Sequence, residues 1–352
     1  MTDFREQFKR LLENTYISGK GSEQEIYNKM TSFLNTVIDN TPERLFRFRN
    51  LDAGEYTLKS FEEGTISLCK ANRFSDKYDS VIFVDVEKEV DTMETHLKNA
   101  MADVIKEIKK KNPNIRAEKA ANVCYYLEQG MTENQIIDKI VGDDYSHYLD
   151  ELRKDLNRGV LRYRDSMNTA RIACFTENVQ SKFMWDTYAG GYQGFALEYN
   201  LKDYFIKSLN QLRNAYVFPI IYSDEKPDLT RDVVNNYAIR IMKEKGWHSL
   251  LNLLRPFIDV NLLYPHKPFL YKDKEEYSHE KEWRMLYYDL ENKEDFIDIP
   301  DEGCLRAIYY GMDISSDNYE KLHQIALKKG IREYKVSIDN HSKNYSLAIT
   351  LI

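Results

Sequence analysis

This sequence lacks the features by which membrane, secreted and multi-module proteins are recognised. No apolar run approaches membrane-spanning length, and residues 1–6 contain no apolar signal core. No internal repeat, low-complexity tract or linker rich in Pro, Gly or Ser interrupts the 352 residues. We therefore expect a soluble cytoplasmic protein without a membrane contact, organised as one large domain with insertions.

Cysteine is scarce, and negative charge outweighs positive charge. Cys69, Cys124, Cys174 and Cys304 are widely spaced and form no paired-thiol motif, which predicts reduced thiols. The net charge of −7 argues against a protein that coats nucleic-acid backbones indiscriminately, although a local basic groove remains compatible with it.

The pattern of apolar residues predicts an α+β fold. Residues 1–42 are typical of N-terminal helices, and residues 43–352 of a single α+β domain with a helical insertion at about 87–165. Strands are predicted at 45–49, 65–69, 171–175, 194–199, 217–222, 307–311, 334–338 and 346–352, with a further helical stretch at about 231–263. Because helical blocks separate the strands without regular βαβ alternation, we expect a mixed, mostly antiparallel sheet.

The stretch Tyr277–Tyr288 carries the most informative charges. Its second half predicts a strand, on which Glu280, Glu282 and Arg284 would share one face. Two adjacent carboxylates repel each other unless a cation or a substrate compensates. Arg284 could hold one of them and leave the other free for chemistry. The alternative is an ion-pair ladder on the solvated face of an edge strand.

A short aromatic segment precedes a glycine-rich turn. Met184, Trp185 and Tyr188 lie at helical spacing, so they predict either a helix packed on the sheet or a stacking wall for a planar ligand. The following residues, 189–194, superficially resemble a dinucleotide fingerprint, but a strand follows them where the fingerprint needs a helix. We interpret them as a turn.

Local signatures of other active sites are missing. Asp76, Asp79, Glu280 and Glu282 could form a hydrolytic metal site, with or without His279, but no fixed-spacing metal motif such as His-Glu-x-x-His is present. Neither a Cys/His nor a Ser/His/Asp system has a local signature.

Several motifs taken together resemble a known family. In chain order they are Leu45-Phe-Arg-Phe-Arg49, Phe74-Ser-Asp-Lys-Tyr-Asp79, Cys174-Phe-Thr176, Met184-Trp-Asp-Thr-Tyr-Ala189, Gly194-Phe-Ala-Leu-Glu-Tyr199, Glu280-Lys-Glu-Trp-Arg284 and Ile308-Tyr-Tyr-Gly311. This series resembles a bacterial family catalogued as domain of unknown function 2971 (DUF2971), over roughly residues 43–315. Ser75 and Lys77 depart from the family pattern, which has Asn and Pro there.

The same layout also resembles ADP-ribosyltransferases of the Arg–Ser–Glu kind. These have an Arg on an early strand, Ser/Thr and aromatics on a second strand, and a late Glu-x-Glu strand. The resemblance implies a split sheet whose cleft binds NAD as a substrate. Carried over, Glu282 would be the catalytic carboxylate, and Glu280 would orient or deprotonate the acceptor.

The remaining roles implied by this resemblance concern NAD binding. Arg47 or Arg49 would hold NAD, and Phe74, Trp185 or Tyr188 would stack on it. Asp76 and Arg284 are placed with these NAD-binding residues, Arg284 mainly as a brace for the glutamates. No metal ligand is implied.

The resemblance thus implies an NAD-dependent ADP-ribosyltransferase that modifies a protein or nucleic-acid acceptor. A bacterial toxin or antiphage-defence effector, with an antitoxin or defence-system partner, would have this activity. Two alternatives stay open: a metal-dependent phosphodiesterase or nuclease that uses the four carboxylates, and a non-catalytic ligand-binding module.

Overall fold

The computed structural model describes residues 4–18, 21–51, 55–110, 117–166, 169–211, 214–289 and 291–352. The fold is mixed α+β, with an open and mostly antiparallel sheet, as the sequence predicts. Within these ranges, no helix is both long and apolar enough to cross a membrane.

Strands occur along the whole chain. They are β1 Tyr16–Ser18, β2 Leu45–Arg49, β3 Thr65–Cys69, β4 Ala170–Thr176, β5 Phe195–Tyr199, β6 Ala215–Pro219, β7 Ile221–Ser223, β8 Asp259–Asn261, β9 Tyr271–Asp273, β10 Glu282–Tyr288, β11 Phe296–Pro300, β12 Leu305–Tyr310, β13 Arg332–Ile338 and β14 Leu347–Leu351.

Helices separate most of these strands. They are α1 Phe4–Asn14, α2 Glu23–Asn40, α3 Glu55–Glu63, α4 Val86–Lys109, α5 Ala117–Glu128, α6 Glu133–Lys139, α7 Ser146–Ser166, α8 Lys182–Tyr188, α9 Leu201–Asn210, α10 Thr230–Glu244, α11 His248–Leu254, α12 Lys274–Tyr277 and α13 Ser316–Lys329.

Ten of the described strands form the main sheet. Its order is β11-β3-β4-β2-β5-β12-β13-β14, while β10 pairs with β4 and, on its other side, with β6. Only β12 and β13 run parallel among these pairs. The described strands β7 and β9 form a small parallel pair outside the main sheet, and β1 pairs with β8.

The sheet divides at β4. Phe46 of β2 pairs with Thr176 near one end of β4, whereas Cys69 of β3 pairs with Ile172 nearer its other end. Because β2 and β3 meet the same edge of β4 at separate points, a cleft opens between them, and Cys174 lines it.

Three clusters of buried side chains hold the elements together. The largest joins α1, α2, α3, α9 and α13 to the sheet, which places the N-terminal helices on the core of the α+β body. A smaller cluster packs α8 on β2, β5, β12, β13 and β14. A third cluster is helical and unites α4, α6 and α7 with α10 and α11. The helical block predicted at about 87–165 therefore shares its core with helices from 230–254.

Most predicted elements are present, but two differ in extent, and several short elements were not predicted, among them the described strands β1, β9 and β11 and helix α12. The strand predicted at 217–222 is interrupted at Ile220, and its halves β6 and β7 belong to different sheets. The helical stretch predicted at about 231–263 ends at Leu254 and continues into β8. Helices α3 and α9 were not predicted, because both are short and their apolar residues also suit loop anchors.

Candidate functional site

A cavity of about 450 Å³ occupies the cleft beside β4. Its walls come from β2, β4, β10, α8, the loop that follows β3, and the segment from β9 to α12. A volume of this size suits a small molecule or cofactor. Side chains of both charge signs and several aromatic rings line it, so a polar ligand with planar groups would find partners there.

One wall is formed by two neighbouring arginines of β2. Arg47 and Arg49 alternate with Phe46 and Phe48 along the strand, and both arginines line the cavity. Arg47 Nη1 is buried and has no hydrogen-bond partner within the described ranges. The Arg47 guanidinium instead lies over the Phe175 ring, 5.7 Å from its centroid. Burial, together with the charge of Arg47, lowers the pKa of Arg49 to about 9.

A tight, glycine-rich turn between α8 and β5 packs against the C-terminal end of β2. Gly190 and Gly191 have φ of +58° and +62°, in the left-handed region that glycine tolerates. A Cβ atom on Gly194 would lie 2.1 Å from the carbonyl oxygen of Arg49. The glycine-rich stretch is therefore a turn, as predicted, and its last glycine allows β5 to approach the backbone of Arg49.

The opposite wall contains both predicted glutamates, joined by a lysine. Lys272 Nζ lies 2.8 Å from Glu280 Oε2 and 3.1 Å from Glu282 Oε2. The other oxygen of Glu280 accepts a hydrogen bond of 2.7 Å from the Tyr188 hydroxyl. The two glutamate residues are only 3% and 4% exposed. Because cation and carboxylates are all buried, these contacts are strong and specific in geometry.

Glu282 is also held by Arg284. Arg284 Nε donates a hydrogen bond of 2.7 Å to Glu282 Oε1, and its two terminal nitrogens bond both carboxylate oxygens of Asp79. Burial alone would raise the pKa of Glu282, but the charges of Arg284 and Lys272 outweigh it and lower the pKa to about 2. Glu282 is therefore an anion at neutral pH, suited to stabilising positive charge and unsuited to acting as an acid.

The local backbone explains why both glutamates face the cleft. β10 begins at Glu282, and Glu280 ends a short 3₁₀ turn before it. Lys281, between them, has φ of +48°, and the Thr176 hydroxyl donates a hydrogen bond of 2.6 Å to the Glu280 carbonyl. This kink, and not strand alternation, brings Glu280 beside Glu282.

Three parts of the sequence interpretation of this stretch need correction. Glu280 does not belong to the strand, because the left-handed Lys281 interrupts it. The second carboxylate is not left free by Arg284, because Lys272 and Tyr188 engage Glu280. An ion-pair ladder on a solvated edge strand is wrong as well, since β10 lies between β4 and β6.

Helix α8 divides its aromatic side chains between core and cleft. Trp185 is fully buried, packs edge-to-face on Phe48 with centroids 4.9 Å apart, and does not line the cavity. Its indole N–H donates to the Val179 carbonyl at 2.7 Å. Met184 and Tyr188 do line the cavity. The helix therefore packs on the sheet through Trp185, which cannot stack on a ligand in the cavity. Tyr188 is exposed to the cavity and could contact a ligand there.

The loop after β3 contributes the remaining predicted residues. Phe74 and Asp76 line the cavity, and the Arg284 guanidinium lies 5.3 Å from the centroid of the Phe74 ring. Asp76 Oδ1 accepts the backbone N–H of Tyr78 at 2.8 Å, which shapes the loop. Asp79 has the structural role described above, as the partner of Arg284.

Two thiols face the cavity but are poor nucleophiles. Cys69 and Cys174 both line it, and no disulfide joins them. Burial and the nearby charge of Glu282 raise the pKa of Cys174 well above its usual range, and burial raises the pKa of Cys69. Both thiols therefore stay protonated at neutral pH.

Cations occupy the space between the carboxylates. In the described part of the chain, no group of three His, Cys, Asp or Glu side chains is arranged to hold a metal ion. Lys272 and Arg284 take the positions beside Glu280, Glu282 and Asp79 that a metal ion would need. The geometry thus gives the metal-dependent phosphodiesterase alternative no support.

Sequence reasoning missed two residues of the site. Lys272 is a single lysine in a charged stretch, and no spacing rule connects it with residues eight and ten positions later. Tyr222, whose hydroxyl accepts the backbone N–H of Glu282 at 2.6 Å, was placed on a continuous strand and given no role. The lysine could have been suspected only from the need to compensate two adjacent carboxylates.

Comparison with known proteins supports part of the resemblance inferred from the motifs. No curated protein and no solved structure matches the chain. One family model matches over residues 184–285, a range that begins in α8 and ends within β10. The motifs on β2, on the loop after β3, on β4 and on β12 lie outside that range. The family whose model residues 184–285 match is described as a protein of unknown function (DUF2971).

Proposed function

We propose that this protein is an NAD-consuming ADP-ribosyltransferase that modifies a protein or nucleic-acid acceptor. The observation that carries the proposal is the pairing of two walls across one cavity. Arg47 and Arg49 form one wall, and the carboxylate pair Glu280 and Glu282 lies in the other. The cavity lies where the sheet divides, which is also where the ADP-ribosyltransferase resemblance would place NAD.

The arginine wall suits a diphosphate. Arg47 has a buried N–H without a hydrogen-bond partner among the described residues, and burial together with the nearby Arg47 charge lowers the pKa of Arg49. An anion with several oxygens would satisfy these donors and relieve the repulsion. NAD supplies such a group, and its planar rings suit the aromatic side chains Phe74 and Tyr188 that line the same cavity.

The carboxylate wall suits cleavage of the bond between nicotinamide and ribose. When the bond between nicotinamide and ribose C1′ breaks, nicotinamide leaves with the bonding electron pair, and C1′ becomes an oxocarbenium-like centre. The ionised Glu282 would stabilise this positive charge from a fixed position. The acceptor nucleophile then bonds to C1′ and loses a proton. Glu280, whose carboxylate lies in the same wall, would accept this proton.

The test is nicotinamide release from NAD by the purified protein, with cell lysate as the source of acceptor. Glu282→Gln keeps the shape of the side chain and removes its charge, so we expect the rate to fall on the order of 100-fold. Glu275→Gln, at an exposed position on α12, is the matched control and should retain the wild-type rate. Circular dichroism and thermal melting would show that both variants fold.

Two results would contradict the proposal. Wild-type protein that neither releases nicotinamide nor changes its melting temperature with NAD has no such activity. Binding of NAD or ADP-ribose without turnover, equal in wild type and Glu282→Gln, would instead identify a ligand-binding module. If label transfer does occur, the labelled macromolecule identifies the acceptor class.

A further inference from the structure

A single ammonium group serves both glutamates of the cleft. Lys272 Nζ contacts Glu280 Oε2 at 2.8 Å and Glu282 Oε2 at 3.1 Å, and the Lys272 side chain is only 7% exposed. Its ammonium group also lies 3.9 Å from the centroid of the Tyr277 ring. Burial alone would lower the pKa of Lys272, but the charges of Glu282 and Glu280 outweigh it and raise the pKa above the usual lysine value.

The small sheet of β7 and β9 places this lysine. Tyr222 of β7 pairs in register with Lys272 of β9, and both side chains reach the start of β10. Tyr222 accepts the N–H of Glu282, while Lys272 contacts the carboxylates. Two strands outside the main sheet therefore fix the position of Glu282 through its backbone and its side chain.

The two glutamates differ in what else they contact. Glu282 keeps a second cation, Arg284, and lies next to the protonated thiol of Cys174. Glu280 has no second cation among the described residues; its other carboxylate oxygen accepts from the neutral Tyr188 hydroxyl.

Arg284 cannot easily serve Glu280 as well, because its terminal nitrogens bond Asp79 and the Phe269 carbonyl. This cluster thus contains two cations and three carboxylates, those of Asp79, Glu280 and Glu282. Loss of Lys272 would leave one cation for three carboxylates. Buried like charges of this kind do not all stay ionised.

We propose that Lys272 is a positioning residue that keeps Glu280 ionised and directed into the cleft. Its removal should make Glu280, and not Glu282, take up a proton at a higher pH than it does in wild type. This inference deepens the proposed function and relies on it for one arm of the test only, because the charge state of Glu280 can be measured without any turnover.

The first arm is a titration of protein labelled with ¹³C at the glutamate carboxyl carbons, followed by NMR. Glu280→Gln assigns the Glu280 signal by its disappearance. We expect Lys272→Met to raise the pKa of Glu280 by about 1–3 units relative to wild type, since an opposite charge within contact distance shifts a carboxyl by that much. Lys272→Arg retains the positive charge and should restore most of the wild-type titration.

The control is Lys267→Met. Lys267 is also a buried lysine in an ion pair, with Asp232, but it does not line the cleft. A shift of the Glu280 signal that is equal in both methionine variants would reflect general loosening and would overturn the inference. A Glu280 signal that titrates in Lys272→Met as it does in wild type would overturn it too.

The second arm measures the pH profile of nicotinamide release. If Glu280 acts on the acceptor, the acidic limb of the profile should move upward by the same 1–3 units in Lys272→Met and return in Lys272→Arg. Wild-type protein without turnover would contradict the proposed function, while the titration would still decide the role of Lys272. A turnover profile unchanged by Lys272→Met, beside a shifted Glu280 signal, would show that Lys272 sets the charge of Glu280 without positioning it for the reaction, contrary to the inference.

Discussion

Asp79, in the loop after β3, receives hydrogen bonds on both carboxylate oxygens from the Arg284 guanidinium on β10. The two residues are 205 positions apart in the sequence, and their side chains are 2% and 1% exposed. This buried pair ties the loop to the strand that carries Glu282. The shape of the cleft therefore depends on it.

Asp79→Asn should destabilise the protein strongly. Asparagine keeps the shape of aspartate but leaves the Arg284 charge with less compensation, and breaking a buried pair costs about 3–5 kcal/mol. Urea denaturation would measure the loss. Asp76→Asn, in the same loop, removes a charge that bonds only the backbone N–H of Tyr78 among the described residues, so its free energy of unfolding should change by about 1 kcal/mol or less. Equal losses of unfolding free energy in both variants would show that the Asp79–Arg284 pair does not hold the loop.

The Asp79–Arg284 pair also shows where sequence reasoning reached its limit. Most strand positions of the main sheet and the common side of Arg47 and Arg49 follow from alternation and were predicted correctly, since both are local properties. Asp79 was noted as part of a family motif, and the only role considered for it was that of a metal ligand. Its partner lies across the fold, and no local pattern indicates which distant cation a carboxylate will contact.

Glu280 and Trp185 illustrate the same limit in two other ways. Both residues were selected from their spacing, but an inference from a period-two or helical repeat assumes unbroken backbone geometry. A single left-handed residue, Lys281, changes the direction of Glu280. For Trp185, the spacing shows which side of the helix the residue lies on, but it does not show what packs against that side. In the structure Phe48 packs against it.

The acid sensitivity of the protein should depend on Glu282. Its pKa is about 2 in the folded protein, against about 4.3 for an unperturbed glutamate. The carboxylate therefore contributes stability, about 3 kcal/mol, that is fully present above pH ~4.5 and is lost as the pH falls toward 2. Glu282→Gln should be less stable than wild type at pH 6, and this difference should shrink by pH 3.

Urea denaturation across this pH range is the measurement. Glu275→Gln supplies the comparison, because this glutamate is exposed and should show no pH-dependent difference from wild type. A gap between wild type and Glu282→Gln that stays constant from pH 6 to pH 3 would contradict the low pKa of Glu282.

The two aromatic residues of α8 should respond differently to substitution. Trp185→Ala empties a fully buried position and should cost about 3–5 kcal/mol of stability. Tyr188→Leu removes a ring that is 41% exposed and would stack on the ligand, so the stability should fall by less than in Trp185→Ala while the affinity for NAD or ADP-ribose falls. Denaturation and isothermal titration calorimetry separate these effects. A loss of ligand affinity in a folded Trp185→Phe variant, with none in Tyr188→Leu, would reverse the assignment.

Arg47 should destabilise the unliganded protein and contribute to the binding of ADP-ribose. Its Nη1 is buried without a hydrogen-bond partner in the described part of the chain, which costs about 1–3 kcal/mol. The contact with the Phe175 ring offsets part of this cost, by about 0.5–2 kcal/mol. Arg47→Met should therefore raise the melting temperature of the unliganded protein and abolish the stabilisation that ADP-ribose gives to wild type.

Arg44→Met is the matched control, because Arg44 lies just before the same strand and already has a partner. Arg44 contacts the buried carboxylate of Glu198 at 3.0 Å, and it does not line the cavity. Its loss should lower the melting temperature and leave the response to ADP-ribose intact. An Arg47→Met variant that is less stable than wild type, and still stabilised by ADP-ribose, would show that the arginine wall serves the fold and binds no anion.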